Sequence, residues 1–182
     1  MEDIDFYKGG STRVVEMQHL RKLASQATDN IVEIGGFQGR TSIELAKGSK
    51  EGQKHKIYVI DPWTGVKVHS TKDVFIDKNI FVNNIKKAKM DDIIIPIQSL
   101  SEKYLPKWDK SIGMLFIDGD HSYDGVKKDI KWIKHVIPGG IVAFHDYLLP
   151  KYKNSVVKAV NEIKDTLDFQ TQIESLIVFK KR

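Results

Sequence analysis

The 182-residue sequence predicts an α/β fold: a doubly wound, mostly parallel, seven-stranded sheet with one reversed strand at its C-terminal end. Three observations carry this reading. Short continuous apolar runs alternate with segments at helical spacing, the pattern of parallel strands covered on both faces. Several of the runs end in glycines or acids, at the edge where doubly wound sheets bind ligands. The last two runs, "DFQTQIES" and "LIVFKKR", have too little chain between them for a helical crossover, so they pair antiparallel.

The elements follow in order. Val14, Val15, Met17, Leu20, Leu23, Ala24 and Ala27 recur at the i, i+3, i+4 period and mark a first helix. "NIVEIGG" is a short buried strand. Gly39–Lys47 reads as a helix that packs Ile43, Leu45 and Ala46, with Gly48 just past its end. "KIYVIDPW" is a second strand stopped by a proline, followed by a polar connection and a helix around Asp73–Lys89. "DIIIPIQS" is a third strand, and Pro96 assigns it to a sheet edge because proline cannot donate to a ladder. "IGMLFIDGD" is the fourth. The next helix carries Val126, Ile130, Ile133 and Ile137 on one stripe and stops at "PGG"; "GGIVAFHDY" is the fifth strand. A helix over about Asn154–Leu167 precedes the final pair.

This length gives one domain, 1–182, with residues 1–28 as an N-terminal helical segment suited to covering a substrate. Hydrophobic content of 41% and charged content of 29% are those of an ordinary globular chain. The polar start and the lack of any apolar run near the ~18 residues of a membrane span predict a cytoplasmic protein with no membrane partner. Without cysteine there are no disulfides, thiolate metal sites or cysteine nucleophiles. The net charge of +5 invites a nucleic-acid reading, but the lysines are scattered, as on a solvated surface.

At the first strand end, "VEIGGFQGRTS" gives the spacing E-x-G-x-x-x-G, which differs from the G-x-G-x-x-G of dinucleotide binding. Gly35 and Gly36 permit a tight turn, and Gly39 opens the following helix. At the second end Asp61 can accept both ribose hydroxyls of a nucleoside, and Trp63 offers a face for an adenine; alternatively, they cap the strand and cover the core edge. Asp118 ends strand four, and His145-Asp146 ends strand five, so these groups can converge on one crevice.

Together, "VEIGGFQGRTS", "YVIDPWTG", "FIDGDHSYDGVKKDI" and "PGGIVAFHDY" resemble the class I S-adenosylmethionine-dependent methyltransferases, with a Rossmann-like fold. The likeness is greatest to the small bacterial O-methyltransferase-like subgroup, which includes metal-dependent sugar and catechol-type enzymes, and it covers about Val14 to Tyr147. It implies that S-adenosyl-L-methionine is the cofactor. Glu33, Gly35 and Gly39, with Gly36 in the same turn, would hold its amino-acid end; Asp61 would bind the ribose; Gln98 and Ser99 would flank the adenine. Many such enzymes carry an acid where Gln98 stands.

The resemblance also implies a divalent cation, Mg²⁺ or Mn²⁺, on Asp118, His145 and Asp146, with Asp118 shared between cofactor and metal. Relatives usually have an acid at the His145 position, and an imidazole shifts preference toward Mn²⁺, Fe²⁺ or Zn²⁺. Either the metal lowers the pKa of an acceptor hydroxyl, or His121, ordinarily near ~6.5, takes its proton. The structural alternative leaves Asp118 on loop amides and Asp146 as a cap. The expected acceptor is a small molecule or sugar hydroxyl. Pyrimidine C5 methylation lacks its cysteine, and no "NPPY"-like stretch follows strand four. Two other readings stand beside it: an RNA-binding or RNA-modifying protein using the same fold, and a nicotinamide-dependent oxidoreductase. The N-terminal segment to about Leu23, the 64–75 connection, or a neighbouring subunit of a homo-oligomer would cover the site.

Overall fold

The computed structural model describes residues 12–64, 67–68, 74–75 and 77–182. Seven strands form one sheet: β1 (Ile31–Ile34), β2 (Ile57–Asp61), β3 (Ile94–Gln98), β4 (Ile112–Ile117), β5 (Val136–Phe144), β6 (Leu167–Ile173) and β7 (Leu176–Lys181). Their order is β3-β2-β1-β4-β5-β7-β6. The first five run parallel, and β7 is inserted antiparallel between β5 and β6. This is the doubly wound sheet with a reversed strand that the sequence predicts. Pro96 does lie in edge strand β3, opposite Val59.

The register decides where chemistry can gather. Ile34 lies level with Ile60 on one side and Ile117 on the other, and Ile117 lies level with Phe144. The residues one step beyond, Asp61, Gly35, Asp118 and His145, therefore stand in one row along the carboxyl edge. Backbone bonds extend the row past the strands: Gly35 N to Ile60 O at 2.9 Å, Asp118 N to Ile34 O at 2.8 Å and His145 N to Ile117 O at 3.1 Å.

One sheet face packs on α1 (Val14–Ser25), α2 (Arg40–Glu51) and α3 (Lys78–Lys87), through Leu20, Leu23, Leu45, Phe81 and Ile85. The other is covered by α4 (Ser101–Tyr104), α5 (Tyr123–Ile130) and α6 (Lys158–Asn161), with Trp108 and Trp132 in that layer. None of the described helices is long and apolar enough to cross a membrane.

Several elements differ from the sequence reading. Val14 and Val15 are exposed, while Glu16 takes a buried position on the α1 stripe with Leu20 and Leu23. The helical phase is thus set by Glu16, whose charge is matched by partners from elsewhere in the fold. Gly48 is inside α2 rather than beyond it, because α1 crosses there; a Cβ would lie 2.0 Å from the Arg21 carbonyl oxygen. The third helix begins at Lys78, capped by the Asp77 side chain, and Val74–Phe75 instead pairs with Lys67–Val68. The fifth helix ends at Ile130 and passes into a tighter turn, Lys131–His135, so Ile137 and "PGG" belong to β5. The predicted helix over 154–167 is broken into short pieces of which only Lys158–Asn161 is α; β-branched Val156, Val157, Val160 and Ile163 crowd a regular helix there. Of the predicted covers, residues 1–11 and most of 64–75 lie outside the described residues.

Candidate active site

A cleft of about 780 Å³ opens along the Asp61, Gly35 and Asp118 part of the strand-end row, with His145 and Asp146 buried outside its lining; it falls within the about 300–1,000 Å³ range of small-molecule sites. Gly35, Gly36, Asp61, Asp118 and His121 line it, together with Thr12, Arg40, Ser101, Asp129 and Lys151, which the sequence reading did not single out. Apolar walls come from Ile34, Ile60, Pro62 and Leu100. A second hollow of about 720 Å³ near Lys164, Asp168 and Arg182 contains none of the strand-end residues.

The glycine-loop corner is built from backbone. Gly35 has φ +94°, and a Cβ there would stand 2.1 Å from the Asp118 carbonyl oxygen, so only glycine lets β1 and β4 leave the sheet side by side. Asp61 Oδ2 accepts from the Gly36 and Phe37 amides, each at 2.9 Å, and Oδ1 accepts from the Trp63 amide at 2.8 Å. Burial pushes the Asp61 carboxyl upward, and those three amides oppose the shift.

Five predicted cofactor residues, Glu33 among them, stand back from the cleft. Trp63 is buried, 4.7 Å from the Phe81 ring centroid, and donates its indole N–H to the Phe37 carbonyl. Its faces are used by the core, so it supports the loop rather than offering a stacking surface. Gly39 is the N-cap of α2, over Phe81. Gln98 is exposed at the sheet edge and its amide nitrogen reaches toward the Pro62 and Trp63 carbonyls, while the Ser99 hydroxyl donates to Leu100 O. Neither lines the cleft. Pro62, Leu100 and Ser101 do.

Glu33 lies one layer deeper, fully buried, with the Ser42 hydroxyl donating to one oxygen and the other without a partner. Burial, reinforced by the charges of Asp118 and Asp61 and opposed by Ser42, pushes its carboxyl up to about 8. It is a neutral acid beneath the loop at pH 7.

The second corner is built from side chains. His121 Nε2 stands 2.7 Å from Asp146 Oδ2 and 3.4 Å from Asp118 Oδ1, and its ring stacks on Tyr152 at 4.6 Å. Burial works against its charge, but the two carboxylates outweigh it and raise the imidazole to about 10. His121 is thus an imidazole paired with two carboxylates rather than an isolated one. Asp118, despite burial, is held at about 2 by His145 and His121.

His145 is buried and bridges the corner to the N-terminal helix. Nδ1 is 3.3 Å from both Asp118 Oδ1 and Asp146 Oδ1, while Nε2 is 3.2 Å from Glu16 Oε2. Burial lowers the His145 pKa, yet the surrounding carboxylates win and raise it to about 9. Distance and alignment disagree here: Nδ1 and Asp146 Oδ1 are close, yet neither has a hydrogen-bond partner of acceptable geometry. Two buried polar atoms thus face one point without bonding each other. One ligand atom from each of Asp118, His145 and Asp146 lies within 4.8 Å of the others, a spacing that fits a divalent cation. Their mixed oxygen and nitrogen chemistry fits Mn²⁺, Fe²⁺ or Zn²⁺ better than Mg²⁺.

Sequence reasoning missed Glu16, Ser101 and Asp129. Asp129 is buried against the Ser101 hydroxyl, and burial raises it to about 7. The available signal was an acid on the inward stripe of an amphipathic helix, as with Glu16 beside Leu20 and Asp129 beside Val126.

Comparison with known proteins agrees with this geometry. A family model described as a methyltransferase domain matches residues 32–147. The uncharacterized protein R132 of Acanthamoeba polyphaga mimivirus is 33% identical over 139 residues, covering 72% of this chain and 58% of that protein. The chain therefore spans less than two-thirds of the length of that relative. Among solved structures, cofactor-bound Rv0187 from MTB superposes with a TM-score of 0.76 at 16% identity, covering 96% of this chain and 83% of the other. The O-methyltransferase NovP gives 0.73 at 15% identity, covering 91% and 78%. At those identities the superpositions establish the fold.

Proposed function

The chain belongs to the methyltransferase-domain family, and from that membership we propose that it transfers a methyl group from S-adenosyl-L-methionine to a hydroxyl oxygen of a small molecule or sugar. The observation that carries the reading is the row Asp61, Gly35, Asp118 and His145, with one cleft reaching from the glycine loop to Asp118 and His121. A bound cofactor supplies an electrophilic methyl on a sulfonium. A bound divalent cation, held by Asp118, His145 and Asp146, supplies positive charge that lowers the pKa of an acceptor hydroxyl.

The residues of the chain divide the remaining work. The Gly35–Phe37 turn, tied down by Asp61, gives the cofactor a rigid seat. Ile34, Ile60, Pro62 and Leu100 exclude water around its flat and apolar parts. Alignment of methyl and acceptor is the largest available contribution, up to ~7–11 kcal/mol in favourable intramolecular cases. The acceptor hydroxyl would have to lose its proton for its oxygen to take the methyl. His121 is the histidine lining the cleft among the described residues, and a cation on its partners Asp118 and Asp146 would free it to take that proton. Lys151 lines the same cleft and adds positive charge that favours the alkoxide.

Calorimetry with S-adenosylhomocysteine tests the reading. One saturable site is expected, and no heat of binding overturns it. Mn²⁺ titration followed by electron paramagnetic resonance tests the cation separately, with one bound ion expected and none if Asp118 and Asp146 serve only the loops.

A further inference from the structure

We propose that Glu16 is the positioning residue of the cation site: it fixes the His145 ring so that Nδ1, and not Nε2, is the ligand atom. The inference rests on the cation reading above and adds a residue from the N-terminal helix, 129 positions away in sequence.

The two ring nitrogens of His145 meet different partners. Nε2 faces Glu16 Oε2 at 3.2 Å and the Ser175 hydroxyl at 3.3 Å. Nδ1 faces Asp118 and Asp146, with no aligned hydrogen bond. A neutral imidazole carries its hydrogen on the nitrogen that has the stronger acceptor, leaving the lone pair on the other. With a cation on the two aspartates, Nδ1 would have no acceptor left, and the buried carboxylate would hold the ring hydrogen on Nε2 with the Nδ1 lone pair toward the cation. This carboxylate–imidazole arrangement is the usual way a ligating histidine is oriented.

Capping α1 does not account for Glu16. The cap uses one bond, from the Arg13 amide to Oε2 at 2.7 Å, and a cap at a helix start ordinarily stays in water. Glu16 is instead fully buried. Its other oxygen accepts from the Ser175 amide at 2.9 Å and from the Ser175 hydroxyl at 2.7 Å. With His145 these donors fill the about four lone-pair sites of a carboxylate, so the charge is held from the helix, the β6–β7 turn and strand β5 together. Such a carboxylate, aimed at a histidine whose opposite nitrogen meets two aspartates, has an orienting task.

The test is Mn²⁺ affinity in the full chain, with S-adenosylhomocysteine affinity measured beside it as a witness of folding. Glu16→Gln puts an amide against Nε2. Its NH₂ can donate there and move the ring hydrogen to Nδ1, so Mn²⁺ binding is expected to weaken about 10–100-fold while the S-adenosylhomocysteine affinity holds. In a His145→Asp background the ring is gone and Glu16 faces a like charge, so Glu16→Gln should leave Mn²⁺ affinity unchanged or raise it. Equal losses in both backgrounds, or an unchanged Mn²⁺ affinity in the single variant, overturn the proposal. Should Glu16→Gln fail the folding witness, Ser175→Ala, which removes one holder of Glu16, is expected to weaken Mn²⁺ in the same direction by a smaller factor, and no change overturns the proposal. Wild-type protein that binds S-adenosylhomocysteine but no Mn²⁺ removes the cation site and this inference with it, while leaving the methyltransferase reading intact.

Discussion

The two corners of the cleft are adjacent strand ends built on opposite principles. At the glycine loop, the carboxylate of Asp61 accepts from three backbone amides, and the Gln38 carbonyl behind it accepts from the Asn84 side chain at 2.8 Å. At the Asp118 corner, side chains from two strand ends meet a histidine from a loop and an acid from α1, and two buried atoms remain unmatched. A corner satisfied by its own amides is a rigid mould. A corner with opposed charges and unmatched atoms is poised for an ion. The fold places the two kinds of chemistry side by side, in contact through Gly35 and Asp118.

That contact is the place to break the comparison first. Gly35→Val drives a side chain into the Asp118 backbone, which has nowhere to move, and adds a strained positive φ. Loss of S-adenosylhomocysteine binding by more than about 100-fold is expected, with destabilisation of about 3 kcal/mol or more in urea unfolding. Normal binding would mean that the two strand ends can separate. Asp146→Asn acts on the second corner alone. Asparagine tolerates the left-handed backbone of this position, φ 59°, but removes the charge. Mn²⁺ affinity should fall about 100-fold or more, beyond the loss from an outer contact, with the affinity for S-adenosylhomocysteine nearly unchanged. A parallel fall in both would show that the corners act as one unit.

Asp61→Asn is the converse, with a smaller effect. One amide oxygen cannot serve three backbone donors, and charged hydrogen bonds carry about 1.5–3 kcal/mol each. S-adenosylhomocysteine should bind about 10–100-fold more weakly and Mn²⁺ as before. Loss of Mn²⁺ would show that loop rigidity is required across the Gly35 contact.

The corners also differ in how far they can be read from sequence. Asp61, Gly35, Asp118 and His145 all follow apolar runs, so strand ends and a parallel register suffice to line them up. Distances between side chains from distant segments are not written there. An imidazole near its ordinary pKa is a fair expectation for His121 until Asp146, 25 residues later, is found at 2.7 Å. Trp63 next to a proline reads as a stacking surface until Phe81 occupies it. In α1 the exposed Val14 and Val15 mimic a core stripe, and Glu16 passes for a surface acid, because the partners that make its burial tolerable come from Ser175 and His145. Hydrophobic periodicity reports which face is inside; it cannot report that a charge has been matched there.

Glu33 lies beneath both corners and gives the finest probe of their coupling. Its neutral form is favoured by burial first, then by the charges of Asp118 and Asp61 from either side. An unfolded glutamate loses its proton near 4.5, the folded one only near 8, so in that window the folded state binds more protons than the unfolded. The contribution is fully present below 4.5 and is lost as pH rises toward 8, at most about 1.4 kcal/mol per pH unit. Glu33→Gln removes the titration while keeping an amide for the Ser42 hydroxyl to bond. In urea unfolding at several pH values, the variant should gain on the wild type steadily between pH 5 and pH 8 and run parallel to it above. Adding Asp118→Asn takes away one of the two charges that hold the acid neutral, so the same comparison made in that background should shift its window to lower pH. A window that stays put would show that burial alone sets the Glu33 proton, and that the corners, though in contact, do not sense each other through it.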